Sequence, residues 1–123
     1  MKNSSIYKID VLTLDFNGKT INELILRQRT WGFYHDLETA QQCVLENWTD
    51  IFENNYYNFA LISEMPTGVC VSPTKQWWYQ AVQPKNSNKI LISLYHTSLT
   101  REDRKKDPIN SHIPGTGSSF LGW

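Results

Sequence analysis

The side chains best suited to chemistry in this sequence are arginines that alternate with large aromatic rings. Arg27, Arg29 and Trp31 stand two residues apart, so a β-strand would place all three on one face. Three consecutive aromatic residues follow at 77–79. Arginine beside tryptophan suits nucleotides, because the ring stacks on a base while the guanidinium pairs with a phosphate. The pattern therefore predicts binding of a planar, negatively charged ligand.

A second basic group lies near the C-terminus, in the segment TREDRKKD at 100–107. Arg101 and Arg104, together with Lys105 and Lys106, would add positive charge to a nucleotide site. Acidic residues are interspersed among them, and a charge-mixed helix is equally typical of a solvated face. Both interpretations stay open at the level of sequence.

Motifs for catalysis are incomplete. His96 and Ser98 form the HxS pattern of two-histidine phosphoesterases, which need a second copy so that one histidine acts as base and the other as acid. His35 and His112 do not supply that copy. Neither cysteine has a histidine close by in sequence, and no spacing of metal ligands is present. We therefore expect no catalytic residues, no metal and no cofactor.

Composition limits the class of protein. The chain has 123 residues, of which 40% are hydrophobic, which is enough for one domain with a core. Twelve basic residues balance twelve acidic ones, so we expect no long nucleic acid as a partner. No stretch approaches the roughly 20 apolar residues of a membrane span, and no signal peptide is visible. We expect a single domain in the cytoplasm without membrane contact.

The elements that must position these residues follow from the hydrophobic pattern. The Asn17-Gly18 pair between two β-rich runs predicts a tight hairpin. Asp36 is a good helix N-cap, and apolar residues recur behind it at helical spacing, as one helix or as two with a kink. The expected strands span 6–16, 19–34, 56–65, 75–82 and 90–96; the main helix spans 36–53, a short helix spans 100–107, and 109–123 is a Gly-rich tail.

This order of elements predicts an α+β fold, with an antiparallel or mixed sheet of about five strands and helices on one face. Consecutive aromatics at 77–79 must then lie on both faces of the sheet. One face feeds the core, and exposed aromatics on the other would promote association. We expect a second protomer or a planar ligand to cover that face, which makes a homo-oligomer the predicted state.

Several short motifs between residues 29 and 79 resemble a phage family. The chain resembles the first class of Thoeris anti-defence "sponge" proteins over about half of its length. The motifs are RTWGF at 29–33, LETA at 37–40, NWTDIFE at 47–53, YNFALI at 57–62 and the aromatic strand near 77–79.

The resemblance implies a function and a set of contacts. Proteins of that family are not enzymes; they bind cyclic ADP-ribose isomers made by bacterial TIR-domain sensors and hold them intact. Some are hexamers that also bind cyclic oligonucleotides at separate sites between protomers. The resemblance places the protein in the cytoplasm of the infected bacterial host. By the resemblance, the residues that contact the ADP-ribose ligand are Trp78 or Trp77, Asn88, and Arg104 or Arg101, whereas Arg29 lines the oligonucleotide site.

Two other functions compete with this one. A protein inhibitor would dock an exposed aromatic strand directly on a host enzyme or immune complex. A small nucleotide-degrading hydrolase would use His96.

Overall fold

Alternating side chains along five strands build the fold. The computed structural model describes residues 5–66 and 75–113. The strands form one antiparallel sheet in the order β2-β1-β3-β4-β5, which confirms the expected five-strand sheet. The elements are β1 (Ser5–Leu14), α1 (Ile21–Leu24), β2 (Ile25–Tyr34), α2 (Leu37–Leu45), β3 (Phe59–Pro66), β4 (Lys75–Val82), β5 (Leu91–Ser98) and a 3-10 turn (Asp103–Lys106).

Each face of the sheet carries its own apolar core, because neighbouring residues of a strand point to opposite faces. In β4, for example, Trp77 lies on the first face and Trp78 on the second. The buried members of the first core are Ile9, Val11, Ala40, Cys43, Val44, Ile51, Phe52, Tyr57, Ala60, Ile62, Trp77, Tyr79 and Ala81. The buried members of the second core are Leu12, Leu14, Leu24, Phe59, Leu61, Trp78 and Ile109.

Helix α2 covers the first face but ends earlier than the sequence pattern predicts. It begins as expected after Asp36, whose carboxylate accepts a hydrogen bond from the Thr39 backbone N–H at 2.9 Å. It ends at Leu45, and Asn47 then takes a positive φ of 50°. The prediction of one helix over 36–53 is therefore wrong. The later apolar residues still reach the core, but they do so from a series of tight turns.

The second face is covered by the same chain. Leu24 of α1 packs there, and Ile109 lies fully buried beside it. The segment 107–113 continues across the face until His112 donates a hydrogen bond to the carbonyl oxygen of Gly18 at 2.6 Å. Residues 109–113 therefore belong to the fold rather than to a tail, and 114–123 lie outside the described residues. Contrary to expectation, covering Trp78 needs neither a second protomer nor a ligand.

The connections also differ in detail from the predictions. Ten residues join β1 to β2, and the turn is closed by a hydrogen bond from Gly18 N–H to the Asp15 carbonyl at 3.0 Å. Asn17 keeps a negative φ, so the predicted two-residue turn does not form. The helix predicted over 100–107 is a single 3-10 turn of four residues.

None of the helices within 5–66 and 75–113 has the length and apolar character to cross a membrane.

Candidate ligand-binding surface

Two arginines of β2 lie over aromatic rings on the first face of the sheet. Arg27 pairs in register with Thr13 and Arg29 with Val11, which fixes the face that both occupy. The Arg27 guanidinium carbon lies 4.2 Å from the centroid of the Tyr56 ring. The Arg29 guanidinium carbon lies 5.5 Å from the centroid of the Trp31 ring. Both distances are within the range of cation–π attraction. We call these four residues the arginine–aromatic surface.

Two bulges shape β2. Ile9 pairs with Gly32 and the next residue of β1 pairs with Thr30, which leaves Trp31 as the extra residue. A second shift makes Leu26 the extra residue. A bulge reverses the alternation of faces beyond it, so Ile25 packs on the second core. Strict alternation along β2 would put Ile25 on the same face as the arginines, and the bulge moves it to the other face. The predicted placement of Arg27 and Arg29 on one face is correct.

The turns after α2 provide partners that the sequence analysis missed. Glu53 Oε2 lies 3.1 Å from Arg29 Nη1, and Tyr56 lies under Arg27. Six residues between 47 and 55 have positive φ, four of which are asparagine or aspartate. These types tolerate the left-handed region best. The asparagine-rich composition of this stretch was the available signal for a turn, and it was overridden by the helical spacing of the apolar residues.

The two predicted tryptophans are buried. Trp77 lies in the first core, with its ring centroid 6.3 Å from that of Tyr7. Trp78 has no exposed surface and lies edge-on to Phe59 at 6.4 Å. Stacking a base on either ring would need the chain to rearrange. Within the described residues, the aromatic rings that lie next to arginines are the half-buried Trp31 and the exposed Tyr56 instead.

The remaining predicted residues lie towards the other edge of the sheet. Asn88 is exposed in the loop between β4 and β5, and Arg101 is exposed just after β5. Arg104 is half-buried in the 3-10 turn. Burial lowers the pKa of Arg104, and the neighbouring Arg101 charge lowers it further, while Asp107 opposes both effects. Two guanidinium groups that repel each other make a region that favours an anion.

The structure does not bring these two groups of arginines together. Arg27 and Arg29 lie on β2 at one edge of the sheet, whereas Arg101 and Arg104 follow β5 at the opposite edge. Four strand spacings separate β2 from β5, roughly 19 Å at the usual spacing. One small ligand cannot contact both groups within a single chain.

His96 is engaged in local structure. Its Nε2 lies 2.9 Å from both Ser98 Oγ and the carbonyl oxygen of Asp103. A carbonyl only accepts, so Nε2 must carry the proton in that contact and cannot take one from Ser98. Ser98 is also fully buried. This geometry joins β5 to the following turn and does not activate the hydroxyl for attack.

Other chemistry is sparse in the described residues. No group of three or more histidine, cysteine or acidic side chains in this part of the chain is placed to hold a metal ion. Cys43 is a free thiol in the first core, as expected of a small filler, and Cys70 lies outside the described residues.

Comparison of the chain with protein-family models, curated proteins and solved structures finds no match.

Proposed function

We propose that this chain is a phage anti-defence protein that binds a cyclic ADP-ribose isomer from bacterial TIR-domain immunity and sequesters it without degrading it. The proposal rests on the arginine–aromatic surface, where Arg27 lies over Tyr56 and Arg29 over Trp31. Such a ligand joins a doubly charged pyrophosphate to an adenine. Guanidinium groups pair with the phosphates, and the exposed Tyr56 ring and the half-buried Trp31 ring offer faces on which the base can stack.

The contacts of His96 and Ser98, the one motif that suggested an enzyme, are consistent with a protein that binds its ligand without degrading it. His96 is held by a backbone carbonyl, and its hydroxyl neighbour Ser98 has no exposed surface. A sponge needs tight binding and a slow release, which a site of arginines and rings can supply without activating water. The proposed site of action is the cytoplasm of the infected host.

A homo-oligomer, a dimer or a hexamer, forms part of the proposal. The two arginine groups lie at opposite edges of the sheet, so a second copy is needed to place both around one ligand. Within 5–66 and 75–113, neither β2 nor β5 pairs with a further strand along its outer side. Contacts through these edges would enclose a ligand between protomers. A second site enclosed between protomers would accommodate cyclic oligonucleotides.

The test is a depletion and release experiment. Purified protein is mixed with cyclic ADP-ribose isomers and cyclic oligonucleotides, removed by filtration, then heated to release what it bound. We expect one isomer to be depleted and to return unaltered. A changed product would establish an enzyme instead and direct attention to His96.

Single-residue variants test whether the ligand binds at the arginine–aromatic surface. Arg29→Ala and Arg27→Ala are expected to weaken uptake about tenfold each, because each removes a charge-assisted contact to phosphate. Lys19→Ala is the matched control, since it removes the same charge from an exposed residue of the connection between β1 and β2, outside both groups of basic residues. Equal uptake by all three variants would show that the arginine–aromatic surface does not bind the ligand.

A second candidate function is direct inhibition of a host protein. It is favoured by exposed apolar side chains on β5, where Leu91 is 61% exposed, Leu94 54% and Tyr95 46%. An edge strand with such residues can pair with a strand of a partner. Failure to deplete any nucleotide, together with capture of a host protein that is lost on Leu94→Lys substitution, would establish this function.

A further inference from the structure

A glycine stands at position 32 of β2, where the fold does not require one. Its φ lies outside the left-handed region, so the backbone there suits any residue, and the neighbouring bulge does not need a glycine either. A Cβ at Gly32 would have no atom of another described residue within 4 Å, apart from those of its chain neighbours. Glycine weakens a strand, and it often marks a place that a ligand approaches closely. Neither backbone conformation nor packing therefore accounts for Gly32.

The space over Gly32 lies on the same face as the arginine–aromatic surface. Gly32 pairs with Ile9 and Arg29 pairs with Val11, and both partners belong to the first core. Gly32 and Arg29 are therefore successive positions on the first face, separated only by the bulge. Gly32 is half-buried and Arg29 is exposed, so solvent reaches both positions.

Aromatic side chains lie on either side of this space. Trp31 packs against the first core, with its ring 5.5 Å from the Arg29 guanidinium carbon. Tyr34, two residues beyond Gly32, packs against the same core. We call the space over Gly32, between Trp31 and Tyr34, the Gly32 gap.

The size of the Gly32 gap suits a flat ring. Neighbouring side chains on one face of a strand stand roughly 7 Å apart, so a missing side chain leaves a space about that wide. A flat ring needs about 3.5–4 Å between its atoms and those of a neighbour. Within the described residues, β2 is an edge strand with no further strand along its outer side, so the gap is also open at that side.

We propose that the Gly32 gap holds the purine base of the bound nucleotide, with the phosphates directed along β2 towards Arg29. This inference rests on the proposed function and adds to it where the base lies. The walls of the gap are aromatic rings rather than charged groups, which suits a base and not a phosphate. Gly32 admits the base because any larger residue would fill the space that the base needs.

Arg29 is placed to bind the phosphate that follows the base. It stands one position from Gly32 on the same face, roughly 7 Å away, which a long arginine side chain spans. Its ion pair with Glu53 engages Nη1 at 3.1 Å. A guanidinium group has five N–H donors, so Arg29 can also serve a phosphate.

The experiment compares two probes that differ only in the base. AMP carries adenine, ribose and phosphate, whereas ribose 5-phosphate lacks the adenine. Binding of each probe to the full chain is measured by titration calorimetry and ligand-observed NMR. We expect AMP to bind at least about tenfold more tightly than ribose 5-phosphate, because a base stacked on an aromatic ring contributes at least that much affinity.

Variants separate the base from the phosphate. Gly32→Leu fills the gap, and we expect its affinity for AMP to fall to about that for ribose 5-phosphate, whose own binding stays unchanged. Arg29→Ala should weaken both probes. Gln28→Leu is the matched control, because it adds the same side chain to an exposed position of β2 that pairs with Leu12 of the second core. Gly32→Val, with a side chain that favours strands, serves if Gly32→Leu does not fold.

Three results would overturn the inference. The first is AMP that binds no more tightly than ribose 5-phosphate to the unmodified protein. The second is unchanged affinity for AMP in both Gly32→Leu and Gly32→Val. The third is a changed assembly size by light scattering in Gly32→Leu with AMP binding intact, which would assign the gap to a second copy of the chain.

The depletion experiment distinguishes these failures from failure of the proposed function. If the unmodified protein depletes a cyclic nucleotide and Arg29→Ala does not, the proposed function stands, and unchanged uptake by Gly32→Leu refutes the position of the base alone. If the unmodified protein depletes no nucleotide, the proposed function is wrong and the base site falls with it.

Discussion

Truncation of Ile109 tests whether the segment 107–113 is part of the fold. Ile109 is fully buried in the second core, and the Asp107 carboxylate holds its backbone in place by accepting the Ile109 N–H at 3.0 Å. Ile109→Ala removes apolar atoms from a closely packed site and leaves a cavity between the segment and the sheet. The same segment continues from the turn that carries Arg104, so its packing also positions that arginine.

The expected loss can be derived from the burial. Replacing a buried isoleucine by alanine costs about 2–5 kcal/mol, the range covering how far the site can collapse. Ile109 packs with residues of rigid strands, which favours the middle of the range, about 3 kcal/mol. Because a domain of this size unfolds with only about 5–15 kcal/mol, the variant should lose a large part of its stability. Its melting temperature should fall by on the order of 10 °C.

The assay is equilibrium unfolding in urea, followed by tryptophan fluorescence and circular dichroism. Leu99→Ala is the control, since that leucine is half-exposed and its truncation should change stability by less than about 0.5 kcal/mol. If Ile109→Ala were as stable as Leu99→Ala, the segment would not pack against the sheet as described, and a loose tail from residue 109 would be the correct description.

Three further predictions follow from single contacts. Gly18→Ala should destabilise the protein by about 1–3 kcal/mol, because a Cβ there would lie 2.6 Å from a backbone oxygen of α1; Gly32→Ala, which meets nothing within 4 Å, should be neutral in the same thermal unfolding assay. The pKa of Asp103 is held below its ordinary value by hydrogen bonds from a backbone N–H and a hydroxyl, so its contribution to stability exists above the ordinary value and is lost as the pH falls through the lowered pKa. Asp103→Asn should therefore be less stable near neutral pH and lose less stability on acidification, and parallel pH profiles would contradict this. Glu53→Gln frees Arg29 from an exposed ion pair at 3.1 Å and should raise the affinity for the depleted nucleotide roughly two- to fivefold; unchanged affinity would place the ligand elsewhere.

Much of the sheet follows from the sequence. The run KQWWYQAV predicts a strand over 75–82, and the structure has it at Lys75–Val82. Its consecutive aromatics predict that aromatic rings lie on both faces of the sheet, as Trp77 and Trp78 do. Such features can be read from the sequence because strand periodicity is a local property and β-branched and aromatic residues are enriched in strands. The placement of Arg27 and Arg29 on one face is of the same kind.

What covers each face, and what each arginine contacts, was decided by the tertiary structure. Tyr56 lies under Arg27 because turns after α2 bring a distant stretch of chain over β2. Ile109 fills the second core although its neighbours have no periodicity, because burying one apolar side chain in an existing gap needs none. Local hydrogen bonding sets the period of a helix or strand and is written in the sequence. Contacts between segments far apart in the chain depend on how the surfaces fit, and apolar spacing alone does not specify that fit.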